Sequence, residues 1–301
     1  MDEWTTPAPL IDLAVEFPEL APYARTTTRL HPRRGEPGVF DSSIGGRPLW
    51  PADEPWPIRP GSYFGPYDEE RVPAVLLLQL YRRDVAQLPF PEGTDLLQVL
   101  WYPIPHETFG EWDPEAMLFW RDSASVTEML AEVPLINPDY PEYAPFPEYV
   151  PIPCLLHPEP GVVEYPSSSS DLPQGWDWSR LADFEATSGQ DASSTLFIAP
   201  GIKVGGWPNF FQEPVWPDCP SCQAQMEHLL TLHTAEWGSE GWERWIPRAD
   251  DRFRAECRNG ERSEELRAAQ SPSGIDLGGG CINLFFCPTC PGMPHAQWHD
   301  R

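Results

Sequence analysis

Hydrophobic positions in this chain come as short continuous runs, set between long stretches rich in proline and acid. Ala74 to Tyr81 (AVLLLQLY) and Leu96 to Tyr102 (LLQVLWY) are two such runs, with the turn signal LPFPEG between them. Runs of this length are short for a helix and read as buried strands. Met117 to Trp120 is a third strand candidate. Met226 to Thr234 (MEHLLTLHT) and Cys281 to Phe286 (CINLFF) supply strands for the second half. Helical spacing is weaker. Residues 8–30 place Leu10, Leu13, Phe17 and Leu20 at helical intervals but are broken by Pro18 and Pro22, which predicts one or two short helices or turns. Trp176 to Ala186 predicts an amphipathic helix with Trp178, Leu181 and Phe184 on one side. Arg29 to Pro37 (RLHPRRGEP) reads as a solvated loop. Residues 136–176 read as an extended connection, and residues 237–273 as a polar loop with a short helix at ERSEELRAA.

One pattern occurs twice. Ile44-Gly45-Gly46 followed by Pro48 matches Val204-Gly205-Gly206 followed by Pro208, and the same offset of 160 positions takes Trp56-Pro57 onto Trp216-Pro217. Leu77 to Leu80 then matches Leu229 to Leu232 at a shorter offset, and Leu100-Trp101 matches Phe285-Phe286 at a longer one. Paired glycines mark a sharp turn that uses positive φ, and the order glycine turn, Trp-Pro, strand, turn, strand appears in both halves. Arg59 falls where Cys219 sits, Tyr102 on Cys287 and Pro105 on Cys290, so the first occurrence lacks the cysteines of the second. These features predict a β-rich α+β protein of two similar halves. Residues 1–135 form an N-terminal half without metal ligands, 136–190 a connection rich in proline and acid that ends in a helix, and 191–301 a C-terminal half with the metal site.

Composition narrows the function. The chain has 301 residues, enough for two domains of ordinary size. Its 46 acidic and 20 basic residues give a formal charge of −26, which disfavours nucleic acid and anionic membrane surfaces as partners and permits a basic protein. Thirty-nine prolines argue for short strands and many turns. Lys203 is the single lysine among arginines, a usage that reflects coding bias. The N-terminal MDEWTTPAPLIDL lacks the basic and apolar regions of a signal peptide, and no apolar run reaches the length of a membrane span, so a cytoplasmic protein is expected.

Four of the seven cysteines form two matching pairs, Cys219-Pro220-Ser221-Cys222 and Cys287-Pro288-Thr289-Cys290. A C-x-x-C turn presents two sulfurs to one metal, and two such turns complete a tetrahedron, so the set predicts a structural zinc, with iron as the minor alternative. The 64 residues between Cys222 and Cys287 exceed a compact ribbon, so the fold must bring the pairs together. A thioredoxin-like redox pair would need a helix starting at the motif, whereas Cys287 ends a strand and Pro291 follows the second pair. Cys154, Cys257 and Cys281 lack paired spacing and read as ordinary thiols, Cys281 being the one nearest the site in sequence. His228, His233, His295 and His299 are left outside it. Searches for GxSxG, HExxH, a P-loop and GxGxxG in strand–helix context find none, and no catalytic or cofactor-binding residue is assigned.

The segments SSIGGRPLWPADEPWP, LLLQLY, KVGGWP…WPDCPSC…MEHLLTL and GGG…LFFCPTC resemble the YwqG-like proteins of the DUF1963 family, a bacterial group of uncharacterised function. The resemblance covers most of the chain and implies a β-rich α+β fold of two similar halves. The order GG-x-P-x-W, C-x-x-C, L-x-Q-L and a later FFC-type pair is more distantly similar to the programmed-cell-death-2 family, whose members resemble dedicated chaperones of a ribosomal protein. DUF1963-type proteins also occur among immunity proteins of bacterial toxin systems. Both likenesses imply an acidic protein that grips a basic one. The expectation is a non-catalytic, zinc-stabilised protein-interaction module. The alternative is an enzyme with a cleft between the halves.

Overall fold

The computed structural model describes residues 3–60, 71–104, 106–108, 111–136, 146–168, 170–189 and 191–300. Two six-stranded sheets carry the fold. In chain order their strands are β1 (Arg25–Arg29), β2 (Arg33–Arg34), β3 (Ser43–Ile44), β4 (Val75–Tyr81), β5 (Leu96–Trp101), β6 (Ala116–Arg121), β7 (Cys154–Leu155), β8 (Glu159–Glu164), β9 (Lys203–Gly205), β10 (Glu227–His233), β11 (Cys281–Phe286) and β12 (His295–Asp300). The first sheet runs β6-β5-β4-β3-β7-β2 and the second β8-β1-β9-β10-β11-β12, with every pairing antiparallel. Two short hairpins, Ile58–Pro60 with Arg71–Pro73 and His106–Thr108 with Glu111–Asp113, stand apart from them. The protein is strand-rich α+β.

The centres of the two sheets agree in detail. Gly45, Gly46, Gly205 and Gly206 all take positive φ, at 57°, 79°, 68° and 71°. Ser43 and Ile44 pair with Gln79 and Leu78, as Lys203 and Val204 pair with Thr231 and Leu230. The next ladder in each sheet has a register shift at the same place, between Leu76 and Leu78 and between His228 and Leu230. Beside each shift lies a buried polar triangle. In the first sheet, Gln98 Nε2 donates to Gln79 Oε1 (2.8 Å) and to the Leu49 carbonyl (2.9 Å), and the Leu49 N–H donates to Gln79 Oε1 (3.0 Å). In the second, Thr231 Oγ1 donates to Asn283 Oδ1 (2.7 Å), Asn283 Nδ2 donates to the Asn209 carbonyl (2.8 Å), and the Asn209 N–H donates to Asn283 Oδ1 (3.2 Å). Polar groups this deep require such partners, and each sheet satisfies them by tying its glycine-turn loop to its two central strands.

The edges are exchanged between the sheets. β1 belongs to the second sheet, between β8 and β9, and β7 belongs to the first, between β3 and β2. The chain passes from one sheet to the other at Leu30-His31-Pro32 and back at Leu156-His157-Pro158. Arg29 pairs with Glu159 and Leu155 with Arg33, so a shift of 126 positions turns one contact into the other. The Leu-His-Pro tripeptide recurs at that same shift, a signal that the comparison of Gly, Pro and Trp positions passed over. At the crossing the His157 N–H donates to the Leu30 carbonyl (2.8 Å), and His31 takes a φ of 42°.

The two sheets bury one shared core. Leu78, Leu97, Val99 and Trp101 from the first pack with Val204, Leu230, Ile282 and Leu284 from the second. Removing these faces from water is the main energy that joins the sheets. The helix expected over Trp176 to Ala186 runs from Trp178 to Ser188, with Leu181 buried and Trp178 exposed; it is started by Asp177, whose carboxylate accepts from the Ser179 and Arg180 N–H groups, and stopped by Gly189 at φ 68°. The N-terminal region holds the short helices Leu13–Glu16 and Pro18–Tyr23, and the polar stretch holds Trp242–Trp245, Arg254–Asn259 and Glu264–Gln270. Two expectations are corrected. The stretch Arg29–Pro37 is not a solvated loop, because Arg29 closes β1 with no exposed surface and Arg33–Arg34 forms β2. The connection at 136–176 contains β7 and β8, which are sheet strands, while residues 137–145 lie outside the described part.

Candidate metal centre

The two cysteine turns stand side by side because their strands do. β10 and β11 are neighbours whose ladder begins at Glu227 with Phe286. The first turn precedes β10 and the second joins β11 to β12, so both lie at the same end of the sheet. The 64-residue gap in sequence is the path out along β10, through the helical stretch and back along β11.

Backbone bonds shape each turn. Asp218 bridges to Gln225, the Cys219 N–H donates to the Ala224 carbonyl (2.8 Å), and the Gln223 N–H donates to the Cys219 carbonyl (2.9 Å). In the second turn the Cys287 N–H donates to the Pro294 carbonyl (2.8 Å) and the Met293 N–H to the Cys290 carbonyl (3.2 Å). Gly292 takes a φ of 78° with nothing within 4 Å of where a Cβ would sit, so glycine serves conformation there, not space.

The sulfurs of Cys219, Cys222, Cys287 and Cys290 all lie within 4.8 Å of one another. Cys219 Sγ is 3.9 Å from Cys290 Sγ, and Cys222 Sγ is 3.6 Å from Cys287 Sγ. A tetrahedron of thiolates at a zinc–sulfur bond of about 2.3 Å has sulfur–sulfur edges of about 3.8 Å. The observed separations straddle that value, and none of the four is in a disulfide. Cys219 and Cys287 are buried, Cys290 is partly buried and Cys222 is exposed.

The electrostatics of the cluster differ from one sulfur to the next. The Ser221 N–H lies 3.4 Å from Cys219 Sγ, and Thr289 Oγ1 lies 3.3 Å from Cys287 Sγ. Hydrogen bonding from the Thr289 hydroxyl and from the Thr289 and Cys290 N–H groups lowers the Cys287 thiol to about 6. The Ala224 N–H lowers the Cys222 thiol. Cys290 goes the other way, pushed up to about 12 by the neighbouring cysteine sulfurs, Cys222 first. Four thiolates would crowd too much charge together, and a cation bound among them would compensate it. The residues present could hold one soft metal ion with four sulfur ligands.

Aromatics back the site. Phe285 and Met226 are buried beside Cys219 and Cys287, with Phe210 and Trp216 against them. Trp216 meets Phe285 at 5.6 Å and Phe210 at 6.0 Å. The first sheet has a counterpart cluster of Trp50, Trp56, Ala74 and Leu100, in which Trp50 meets Trp56 at 4.9 Å. Where the cysteine turns would be, Arg59 stands 5.2 Å over the Tyr102 ring and pairs with Glu115 at 3.7 Å. Arg59 and Tyr102 are the positions aligned with Cys219 and Cys287, while Pro105 lies outside the described residues.

The remaining cysteines and histidines lie elsewhere. Cys281 is buried at the other end of β11, its thiol pushed up by burial and 3.2 Å from the Asn209 carbonyl. Cys154 sits in β7, pushed up to about 12 by burial, and Cys257 is in the helical stretch. His228 and His233 are on β10, and burial holds His228 down at about 3. His295 and His299 are on strand β12, not on a helix, and face the carbonyls of Ala116 (3.1 Å) and Leu277 (3.2 Å).

A buried ionic network escaped the sequence reading. Lys203 Nζ donates to Glu164 Oε1 (2.6 Å) and to the Trp207 carbonyl (2.7 Å), with both charged side chains fully enclosed. Arg29 donates to the carbonyls of Pro200, Trp245 and Glu236, and His31 Nε2 lies 2.9 Å from Glu159 Oε2. The lone lysine and the histidine of the first Leu-His-Pro were the available signals.

Fold and site together define a strand-rich α+β protein built on two six-stranded sheets, with a four-cysteine cluster that could hold a metal ion. The family model of DUF1963, a domain of unknown function, matches residues 42–252, and the chain belongs to that family. The match begins beside β3 and includes Cys219 and Cys222 but ends before Cys287. No curated protein matches the chain.

Proposed function

We propose that this protein is a non-catalytic protein-binding module whose second sheet is clamped by one structural zinc on Cys219, Cys222, Cys287 and Cys290. The observation that carries the reading is the all-sulfur cluster. Four thiolates close a tetrahedral ion and leave no position for water or substrate, so the metal contributes folding energy and no chemistry. The packing between the sheets supports the same view, because the described seam is filled with Leu, Val, Ile and Trp side chains. The partner is a basic protein, met in the cytoplasm in the manner of a chaperone or an immunity protein, as the formal charge of −26 favours.

The two halves, 1–135 and 191–301, arise in this reading from one duplicated unit; β1 of the first half joins the second sheet, and β7, from the connection 136–190, joins the first. The shared register shift, the paired polar triangles and the reciprocal contacts of Arg29 and Leu155 support it. In the first copy the Arg59–Tyr102 stack stands in for the metal. The test is metal analysis together with affinity capture of the full chain from its own cytosol. About one zinc per chain and one stoichiometric basic protein, released by salt, are expected. Zinc-free protein sinks the clamp, and the absence of a stoichiometric basic partner sinks the binding role.

A further inference from the structure

A cavity of about 300 Å3 lies under the N-terminal segment. Ile11 and Leu13 from that segment, Val163 of β8, Tyr165, Leu196 and Trp245 form most of its wall. A second space of about 130 Å3 adjoins it, sharing Ala8, Leu196 and Arg244. Apolar walls with few polar groups and a volume near 300 Å3 are what small-molecule sites have in common.

Arg244 is the cation of this wall. Its Nη1 donates to Thr6 Oγ1 (2.7 Å), its Nε is buried with no acceptor, and its guanidinium lies 4.3 Å over the Trp245 ring. Among the described residues no carboxylate comes within the 4.0 Å of an ion pair with it. Glu159 is reached only through Thr6 and is already bonded to His31. Burial first and the positive charge of Arg29 second lower Arg244 to about 10, against the more distant negative charge of Glu159, and no carboxylate among the described residues touches the guanidinium directly. The other charged group on the wall, Asp12, is bonded to the Ala14 N–H.

We propose that the cavity binds an organic monocarboxylate, with its carboxylate on Arg244 and its apolar body among Leu13, Val163 and Leu196. Arg recognises a carboxylate through charge-assisted bonds. A second negative charge on the ligand would meet Asp12. The site is independent of the metal clamp and of the basic partner, so its failure leaves them untouched.

Calorimetric titration of the full chain with octanoate, octanamide and octylamine tests it. Octanoate is expected to saturate one site and to bind at least about tenfold more tightly than octanamide, the ratio that one charge-assisted pair supplies. Arg244→Gln should bring the acid-to-amide ratio close to one while circular dichroism stays unchanged. Val163→Phe, on an edge strand that tolerates aromatics, should fill the space and abolish octanoate binding. No octanoate binding up to roughly 10 mM overturns the proposal. So does equal binding of acid and amide, tighter binding of the amine, or an unchanged ratio in Arg244→Gln. If Arg244→Gln does not fold, the wild-type ratio and Val163→Phe decide the matter, and full octanoate binding by Val163→Phe overturns it.

Discussion

Lys203→Met removes the only ammonium side chain in the protein from a fully enclosed ion pair. Glu164 would keep two backbone donors, the N–H groups of Trp207 (2.7 Å) and Ala199 (2.9 Å), but would lose its counter-charge. Breaking one side of a buried pair costs about 3–5 kcal/mol, and the two remaining donors place this case near the lower end, about 3 kcal/mol. That is a large part of the stability of an ordinary domain. The loss also depends on pH. Burial raises the Glu164 carboxyl above its usual 4.5 even with Lys203 present, and the charge and hydrogen bond of Lys203 are the largest opposing effects. Without them the folded-state value rises further. A group whose folded value is raised contributes its stability below the unfolded value and loses it as pH rises through the folded one. The deficit of Lys203→Met against wild type should therefore be greatest near pH 7 and shrink toward pH 4.5. Urea unfolding followed by tryptophan fluorescence at pH 7 and pH 5 measures both points. Adding Glu164→Gln should restore about 1–2 kcal/mol at pH 7, since no charge is then left buried. A loss under about 1 kcal/mol at pH 7, or an equal loss at both pH values, refutes the reasoning.

Other perturbations follow from the same geometry. In Gly206→Ala a Cβ would clash with Glu164 Oε2, the oxygen that accepts from the Trp207 N–H, at a φ of 71°, so the carboxylate must shift within its buried pair. Denaturant titration should show a loss of about 3 kcal/mol. The counterpart Gly46→Ala meets only Pro37 Cγ at 2.8 Å and should cost less, about 1–2 kcal/mol. If the four sulfurs hold the proposed zinc, Cys287→Ser should abolish metal content by elemental analysis and lower the thermal midpoint by roughly 10 °C, and a chelator should do the same to wild type. Arg59→Ala should leave metal content unchanged and cost about 1 kcal/mol, the worth of its stack on Tyr102. Burial pushes Glu159 up, but bonds from His31 and Thr6 hold it at about 2, so it stabilises the fold above its unfolded 4.5 and loses that as pH falls toward 2. Thr6→Val should shift acid unfolding to higher pH, read by circular dichroism.

The sequence showed its apolar strands and its four-cysteine cluster plainly. β4, β5, β10 and β11 are runs buried along nearly their whole length, where hydrophobicity alone marks a strand. The doubled CPxC pattern marked the four sulfurs because the ligand type carries its own chemistry. β1 was hidden for the opposite reason. Its sequence RTTTR reads as exposed, yet Thr27 Oγ1 bonds to the Val204 carbonyl and Arg29 to three more carbonyls, all supplied from more than 100 positions away. A burial pattern paid for by distant backbone acceptors leaves no local periodicity. The cavity was invisible on the same ground, since Arg244 and Ile11 meet only through the fold.

The exchange of β1 and β7 also sets an order of events during synthesis. Residues 25–29 leave the ribosome early, but Thr27 finds its partner Val204 only 177 positions later. The first sheet likewise stays open until Cys154 and Leu155 arrive to cover β3. A cut between β6 and β7 would leave each fragment with an unpaired sheet edge and a strand that belongs to the other. Such fragments should reassemble only with each other, and two full chains emerging side by side could trade the same strands and interlock.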